Sequence, residues 1–427
     1  MKRPSVIWII ICSVCIIGAA AASGAMVFLR PYDAVIAVGT HESSFSDSSM
    51  SVSINSASYS AVPTVPAVPF RAVWITTVKN TDFPSKPGLS MQAQKKEIDA
   101  IIDKSKSVGL TTVILQVRPH ADALYKSQYF PWSAVLTGTQ GVDPGYDPLK
   151  YFIDSAHSRG LKFEAWINPY RVHLASDTSS LAAFNPAAQH PDWTLKGDDG
   201  GLYFNPGLPQ TKQLIEDGVM EIVNNYDVDG IVFDDYFYPD TKVDDAAAYK
   251  QYGGGLPIGD WRRNNVTAVI SDIHSRIGNA KKNVVFGVSS FGVWANKSSN
   301  PAGSDTQAHV QSYYDQYADT RLWVHKGYVD YICPQIYWKI GYDLADYSKV
   351  LQWWVNTCKG TNVSLYIGFA VYKVKDESWP AQEIINQLRA TVKYPEYKGD
   401  AFYGYSDICA NTNGISDALT NYYESTG

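Results

Sequence analysis

The stretch from Asp229 to Pro239 reads DGIVFDDYFYP. A turn-like Asp-Gly leads into Ile231, Val232 and Phe233, and this apolar run ends abruptly in two adjacent carboxylates, Asp234 and Asp235. A short apolar run closed in this way reads as a buried parallel strand whose end emerges into a polar site. Neighbouring carboxylates repel each other, so a pair at a strand mouth points to general acid–base chemistry or to a bound cation. Successive strand residues point to opposite faces, so both acids reach one site only if the chain bends after Phe233.

Outward from this strand the same unit repeats. Further strands are expected in FRAVWIT (70–76), TTVILQVRP (111–119), LKFEAWINP (161–169), NVVFGVSS (283–290), YVDYICPQIYW (328–338), VSLYIGFA (363–370) and DAFYGYS (400–406). Helical patterns separate them over 91–108, 148–159, 209–225, 261–277, a segment ending near His325, 347–358 and 380–391. Ile98, Ile101 and Ile102 share one helical face, and Gly109 and Gly160 supply stops. Eight strands alternating with helices predict an α/β fold, a (β/α)8 TIM barrel with enlarged βα loops. A doubly wound open sheet would carry a Gly-rich phosphate turn after the first strand, and none follows it.

Composition narrows the rest. Of 427 residues, 45% are apolar, enough for a sizeable core, and a net charge of −6 argues against a nucleic-acid partner. The 12 Trp and 29 Tyr suit either sugar faces or core and rim packing. Residues Pro4 to Leu29 carry no formal charge and follow Lys2 and Arg3. That run is long enough to cross a bilayer, and the flanking positives put the N-terminus inside. The expectation is therefore a signal anchor or signal peptide over 1–30, with the anchor preferred. A flexible Ser/Pro-rich linker over 31–69 and a domain over 70–427 outside the cytoplasm follow. Cys333, Cys358 and Cys409 match no zinc spacing and read as thiols, and no cofactor or metal is called for. Oligomeric state is not legible.

In such a barrel the site lies at the carboxyl ends of the strands. Those ends carry Gln116, Arg118, His120, Trp166, Asn168, Tyr170, Arg171, Tyr236, Gln335, Tyr337 and Trp338. Amides such as Asn168 and Gln335 can bond sugar hydroxyl or acetamido groups, and Arg118 and Arg171 can hold carboxylates. Blander readings stand beside these. Arg118 could fix the scaffold through Asp122 or Asp234, and Tyr236 could be rim packing. His120, His173 and His190 lack tight metal spacing, although His120 with Asp122 would suit a metal-dependent hydrolase.

The motifs QVRPHADALY, PGYDPL, AWINPYR, NPG, GIVFDDYFYP, SSFGVW and PQIYW, in this order, resemble glycosyl-hydrolase-like family 10 of bacterial envelope proteins, over about Phe70 to Ser406. The resemblance implies a (β/α)8 barrel and an exported glycosidase acting on peptidoglycan glycan strands. Family members often carry His before Ala-Trp. Here Glu164 stands there, and no catalytic role is carried over to it. The Asp-Asp pair is also similar in placement to that of the O-GlcNAcase family. That similarity implies that Asp234 steers a substrate acetamido group acting as nucleophile and that Asp235 is the general acid; nearby Asp234 and partial burial are expected to raise Asp235, and in an ordinary retaining mechanism Asp234 would itself be the nucleophile. The expected substrate-binding set is Arg118, Asp122, Trp166, Asn168, Tyr170, Arg171, Tyr236, Gln335, Tyr337 and Trp338. Glu164, Asp122 and Asp407 are reserve acids. A non-catalytic glycan-binding barrel is the alternative.

Overall fold

Phe70–Ile75 (β1) pairs in parallel with Thr112–Arg118 (β2) on one side and with Tyr397–Tyr403 (β8) on the other, so the sheet closes on itself. Around the ring stand Lys162–Ile167 (β3), Gly230–Phe233 (β4), Val285–Val288 (β5), Tyr331–Ile332 (β6) and Ser364–Ala370 (β7). Every pairing between neighbours is parallel. The computed structural model describes residues 69–426. The expected anchor and all but the last residue of the expected linker lie outside them. No helix among the described residues is long and apolar enough to cross a membrane.

Each strand is followed by a helix: Met91–Ser107 (α1), Pro148–Ser158 (α2), Pro209–Asn225 (α3), Ile258–Ala280 (α4), Thr320–Lys326 (α5), Tyr347–Cys358 (α6), Ala381–Thr391 (α7) and Ile415–Thr426 (α8). The (β/α)8 expectation therefore holds. The starts of these helices follow capping chemistry. Ser90 Oγ accepts from Ala93 N–H, and Asp147 accepts from Lys150 N–H ahead of Pro148 at the first turn of α2. Gly109, at φ 85°, ends the α1 turn in the left-handed region. Asp229 is more than a turn residue. Its carboxylate accepts from Phe163 N–H at 2.8 Å and lies 2.9 Å from His157 Nε2, pinning the start of β4 to β3 and α2.

Two apolar regions result. The larger fills the space between strands and helices. The smaller fills the barrel with Phe70, Ala72, Trp74, Ile114, Trp166, Val232, Tyr331, Cys333, Tyr366 and Ala401. Large and small residues alternate around it. A Cβ on Gly287 would sit 2.0 Å from the Tyr331 ring, and one on Gly230 would sit 2.9 Å from the Glu164 carboxyl carbon. Glycine at these two positions makes room for the bulky side chain on the neighbouring strand. Trp74 and Trp166, edge to face at 5.1 Å, are the uppermost aromatics of this filling on β1 and β3. The long excursion after β3 forms a small antiparallel sheet of Arg171–His173, Leu202–Phe204 and Thr194–Lys196.

Candidate active site

The inward-facing positions of β4 are Gly230 and Val232, and the same alternation carries Asp234 into the mouth one residue past the strand. There the chain bends. Asp234 Oδ1 accepts from Asp235 N–H at 2.7 Å, so the first carboxylate folds over the second residue's backbone. The two acids therefore meet rather than facing opposite sides of the sheet. Each is held by a glutamine. Gln335 Nε2, just past β6, donates to Asp234 Oδ1 at 3.3 Å and to Ser289 O at 3.3 Å. Gln316 Nε2, from the long β5–α5 loop, donates to Asp235 Oδ2 at 3.2 Å.

Burial is the largest influence on Asp234, and it pushes that carboxyl well above the usual range. The charge of Asp235 adds to the rise, while the Asp235 N–H and the Arg171 guanidinium pull against it. Nearby Asp234 and partial burial led to the expectation of a raised Asp235. The structure raises Asp234, the more buried member of the pair.

Several expected contacts do reach this mouth. Arg171 lies 3.5 Å over the Tyr236 ring and so fixes that ring beside the pair. Burial, with Asp234 and Asp235 nearby, raises the Tyr236 hydroxyl to about 12. Tyr337 stacks parallel to Tyr403 at 6.3 Å, and Trp338 stands edge-on to Phe291 at 5.7 Å. Trp166 is buried against Trp74. Asn168, on the same inward register as Trp166, accepts from Gln116 Nε2 at 3.4 Å.

Three expected contacts are corrected. Arg118 does not face the mouth. Its guanidinium lies 4.0 Å over the Phe130 ring, and a Cβ on Gly218 of α3 would meet its Nη1 at 2.3 Å. The register shift between Gln116 and Arg118 turns this side chain into the helix layer. Asp122, 2% exposed, accepts from Gln140 Nε2 at 3.2 Å. Gln140 Oε1 in turn accepts from Asn185 Nδ2, so Asp122 belongs to a brace between the β2 and β3 loops. Burial raises it to about 6. Tyr170, 1% exposed, packs within the larger apolar region between strands and helices.

The reserve acids also have structural surroundings. Glu164 lies inside the barrel, one inward position below Trp166 on β3, with Oε2 accepting from the Tyr331 hydroxyl at 2.5 Å. Asp407 Oδ1 accepts from Thr412 Oγ1 at 2.9 Å. The His120 and His173 rings are 6.1 Å apart. Burial, with Arg171 next in weight, lowers His120 to about 3. Among the described residues no three His, Cys, Asp or Glu side chains converge to hold a metal ion. Cys333 and Cys358 are buried thiols and Cys409 is exposed.

A sequence model of the family described as "Glycosyl hydrolase-like 10" matches residues 69–383. The chain is 44% identical over 361 residues to glycosyl hydrolase YngK of Bacillus subtilis (strain 168), covering 82% of this chain and 71% of the relative. It is 40% identical over 364 residues to glycosyl hydrolase DigH of Escherichia coli (strain K12), covering 78% and 82%. The chain belongs to glycosyl hydrolase-like family 10. As expected of the family's barrel, the fold is similar to that of the glycoside hydrolase domain of PgaB (BpsB) from Bordetella bronchiseptica, with a TM-score of 0.55 at 12% identity, over 83% of this chain and 98% of that one. The catalytic domain of a β-amylase from Paenibacillus polymyxa is similar to the same degree, with a TM-score of 0.55 at 12% identity over 84% and 99%. At that identity the likeness concerns the barrel alone. In this family 10 chain two polar residues at the mouth escaped the sequence reading. Gln116 sits at a strand end but had no assigned task, and Gln316 lies in a Tyr-rich loop with no motif to mark it.

Proposed function

We propose that this glycoside hydrolase cleaves N-acetylated glycan strands of the peptidoglycan type, with Asp234 and Asp235 as its acids and the substrate's acetamido group as nucleophile. One observation carries the reading: the two carboxyls meet at the barrel mouth, where burial favours the protonated form of Asp234. Arg171, the positive charge acting on Asp234, works against that hold. In the free protein burial favours a proton on Asp234. When a sugar arrives, its acetamido N–H needs an ionised acceptor. Asp234 takes that bond and its proton passes to Asp235, the more open partner. Asp235 then protonates the leaving oxygen as the C1–O bond breaks and the acetamido carbonyl oxygen bonds to C1. Asp235, now ionised, takes a proton from the water that opens the cyclic intermediate. Substrate assistance of this kind needs no second, distant protein carboxylate. Tyr236, Tyr337, Gln335 and Asn168 position the sugar, with Trp338 at the rim. We propose export through the apolar run over residues 4–29, which would suit a cell-wall substrate.

The test is release of reducing ends from purified glycan strands. Asp235→Asn is expected to lower turnover about 10²- to 10⁴-fold, the usual worth of a general acid. De-N-acetylated strands are expected to resist the wild type. Undiminished turnover by Asp235→Asn, or equal rates on both glycans, removes the mechanism. Binding without cleavage by the wild type would leave a glycan-binding barrel.

A further inference from the structure

The orientation of one buried amide at the mouth is fixed by groups that can only donate. The backbone N–H groups of Thr77 and Val78 both reach Gln116 Oε1, each at 3.0 Å. Their polarity settles which end of the Gln116 amide is oxygen. Gln116 Nε2 therefore faces Asn168 Oδ1, at 3.4 Å. Asn168 is left with Nδ2, a donor with no partner among the described residues, although the residue is 1% exposed. Its place is next to the acids, since the preceding carbonyl, Ile167 O, accepts from Asp234 N–H. The loop that orients Gln116 is itself unusual, because Lys79 and Asn80 both stand at φ 55°. Left-handed non-glycine residues persist where surrounding bonds hold them. Asn80 is held by Pro84 O and Val135 O, and the turn before it by Gln116.

We propose that Gln116 is a positioning residue that fixes Asn168 as an obligate hydrogen-bond donor to a substrate oxygen beside Asp234 and Asp235. The proposal rests on the glycosidase reading of this mouth and narrows it. The sugar in this subsite must bring an acceptor there, a hydroxyl or an acetamido carbonyl. A buried site built for one hydrogen bond rejects ligands that cannot make it far more strongly than an apolar pocket rejects a missing methylene.

Gln116→Glu tests this. The introduced carboxylate still accepts from Thr77 and Val78 but has no N–H for Asn168. The Asn168 amide then turns to donate to that carboxylate and presents its oxygen to the sugar. We expect kcat/KM on N-acetylated glycan strands to fall about 10²-fold. Asn168→Asp, which leaves Gln116 and its loop intact, is expected to give the same loss, and it serves if Gln116→Glu does not fold. Adding Gln116→Glu to Asn168→Ala is expected to cost nothing further. Wild-type kcat/KM in both single variants, or losses that multiply in the double variant, would each overturn the relay. If the wild type binds strands without cleaving them, the glycosidase reading fails instead, and the same variants are read by strand affinity.

Discussion

Glu164→Gln separates a structural acid from a catalytic one. Glu164 is 3% exposed inside the barrel, under Trp166, and its carboxyl is raised from 4.5 to about 7, chiefly by burial, with the Tyr331 hydroxyl pulling the other way. The folded value lies above the unfolded one, so the native state holds this proton more tightly. The stabilisation is fully present below about pH 4.5 and is lost as pH rises through about 7. At ~1.4 kcal/mol per pH unit, the gap between 4.5 and about 7 amounts to about 3 kcal/mol. Glutamine keeps the shape and an oxygen for Tyr331 but cannot ionise. Allowing about 1 kcal/mol for a poorer hydrogen bond, the variant should be about 2 kcal/mol more stable than wild type at pH 9 and slightly less stable at pH 4. Urea unfolding midpoints of both proteins at pH 4, 6, 7.5 and 9 measure this directly. Turnover should stay within a fewfold of wild type, because Trp166 separates this acid from the mouth. A stability difference that does not vary across that pH range would refute the titration, and a loss of turnover as large as that of Asp235→Asn would return Glu164 to the catalytic list.

Asp234→Asn should behave in the opposite way for function and the same way for stability. Hydrolysis is lost, while stability gained over wild type is greatest at neutral and alkaline pH and vanishes in acid, since the Asp234 carboxyl is raised by burial and by Asp235. Thermal melts at pH 4 and pH 8 check the sign. Gly287→Ala should destabilise by about 3 kcal/mol, because its new methyl meets the Tyr331 ring at 2.0 Å. By contrast Gly278→Ala, on exposed α4 with open space around it, should stabilise by about 0.5 to 1 kcal/mol. Equal denaturation midpoints for these two variants would show that the barrel interior tolerates what the geometry forbids.

The eight strands and seven of the eight helices were legible because parallel strands buried on both faces leave near-continuous apolar runs, and because Gly, Pro and capping residues punctuate them. Four features were not. The small sheet after β3 is built of three-residue strands, too short to show a period. Helix α8 follows a short helix, Tyr405–Ala410, and a 3-10 turn, Thr412–Gly414, so no plain strand–turn–helix pattern marks its start. Arg118 was misplaced for a sharper reason. Strict alternation from Gln116 carries position 118 inward, but one irregularity in the β2–β3 register turns it outward, and a slip of one residue changes the face of everything beyond it. Gln316 was invisible because its role comes from where a long loop returns in space, not from any local pattern.

The same reasoning explains why the acids are sequence neighbours. Two carboxylates on different strands are separated by the barrel's own dimensions, which suits schemes that need a gap for water or for a covalent intermediate. Two on consecutive residues are separated by one peptide, and the fold cannot widen that distance without unfolding the bend that Asp234 makes with the Asp235 N–H. In the proposed mechanism, proximity of this kind serves proton exchange within the pair, not attack from two sides of a sugar. The surroundings fit that use. Burial, Asp235 and Arg171 bias where the proton rests, and Gln335 and Gln316 hold one carboxylate each. Glu164, lying one inward position below Trp166, belongs to the packing of the barrel. On the proposed reading the substrate brings its own nucleophile, which is why the N-acetyl group, more than the identity of the glycan, is the feature to vary first.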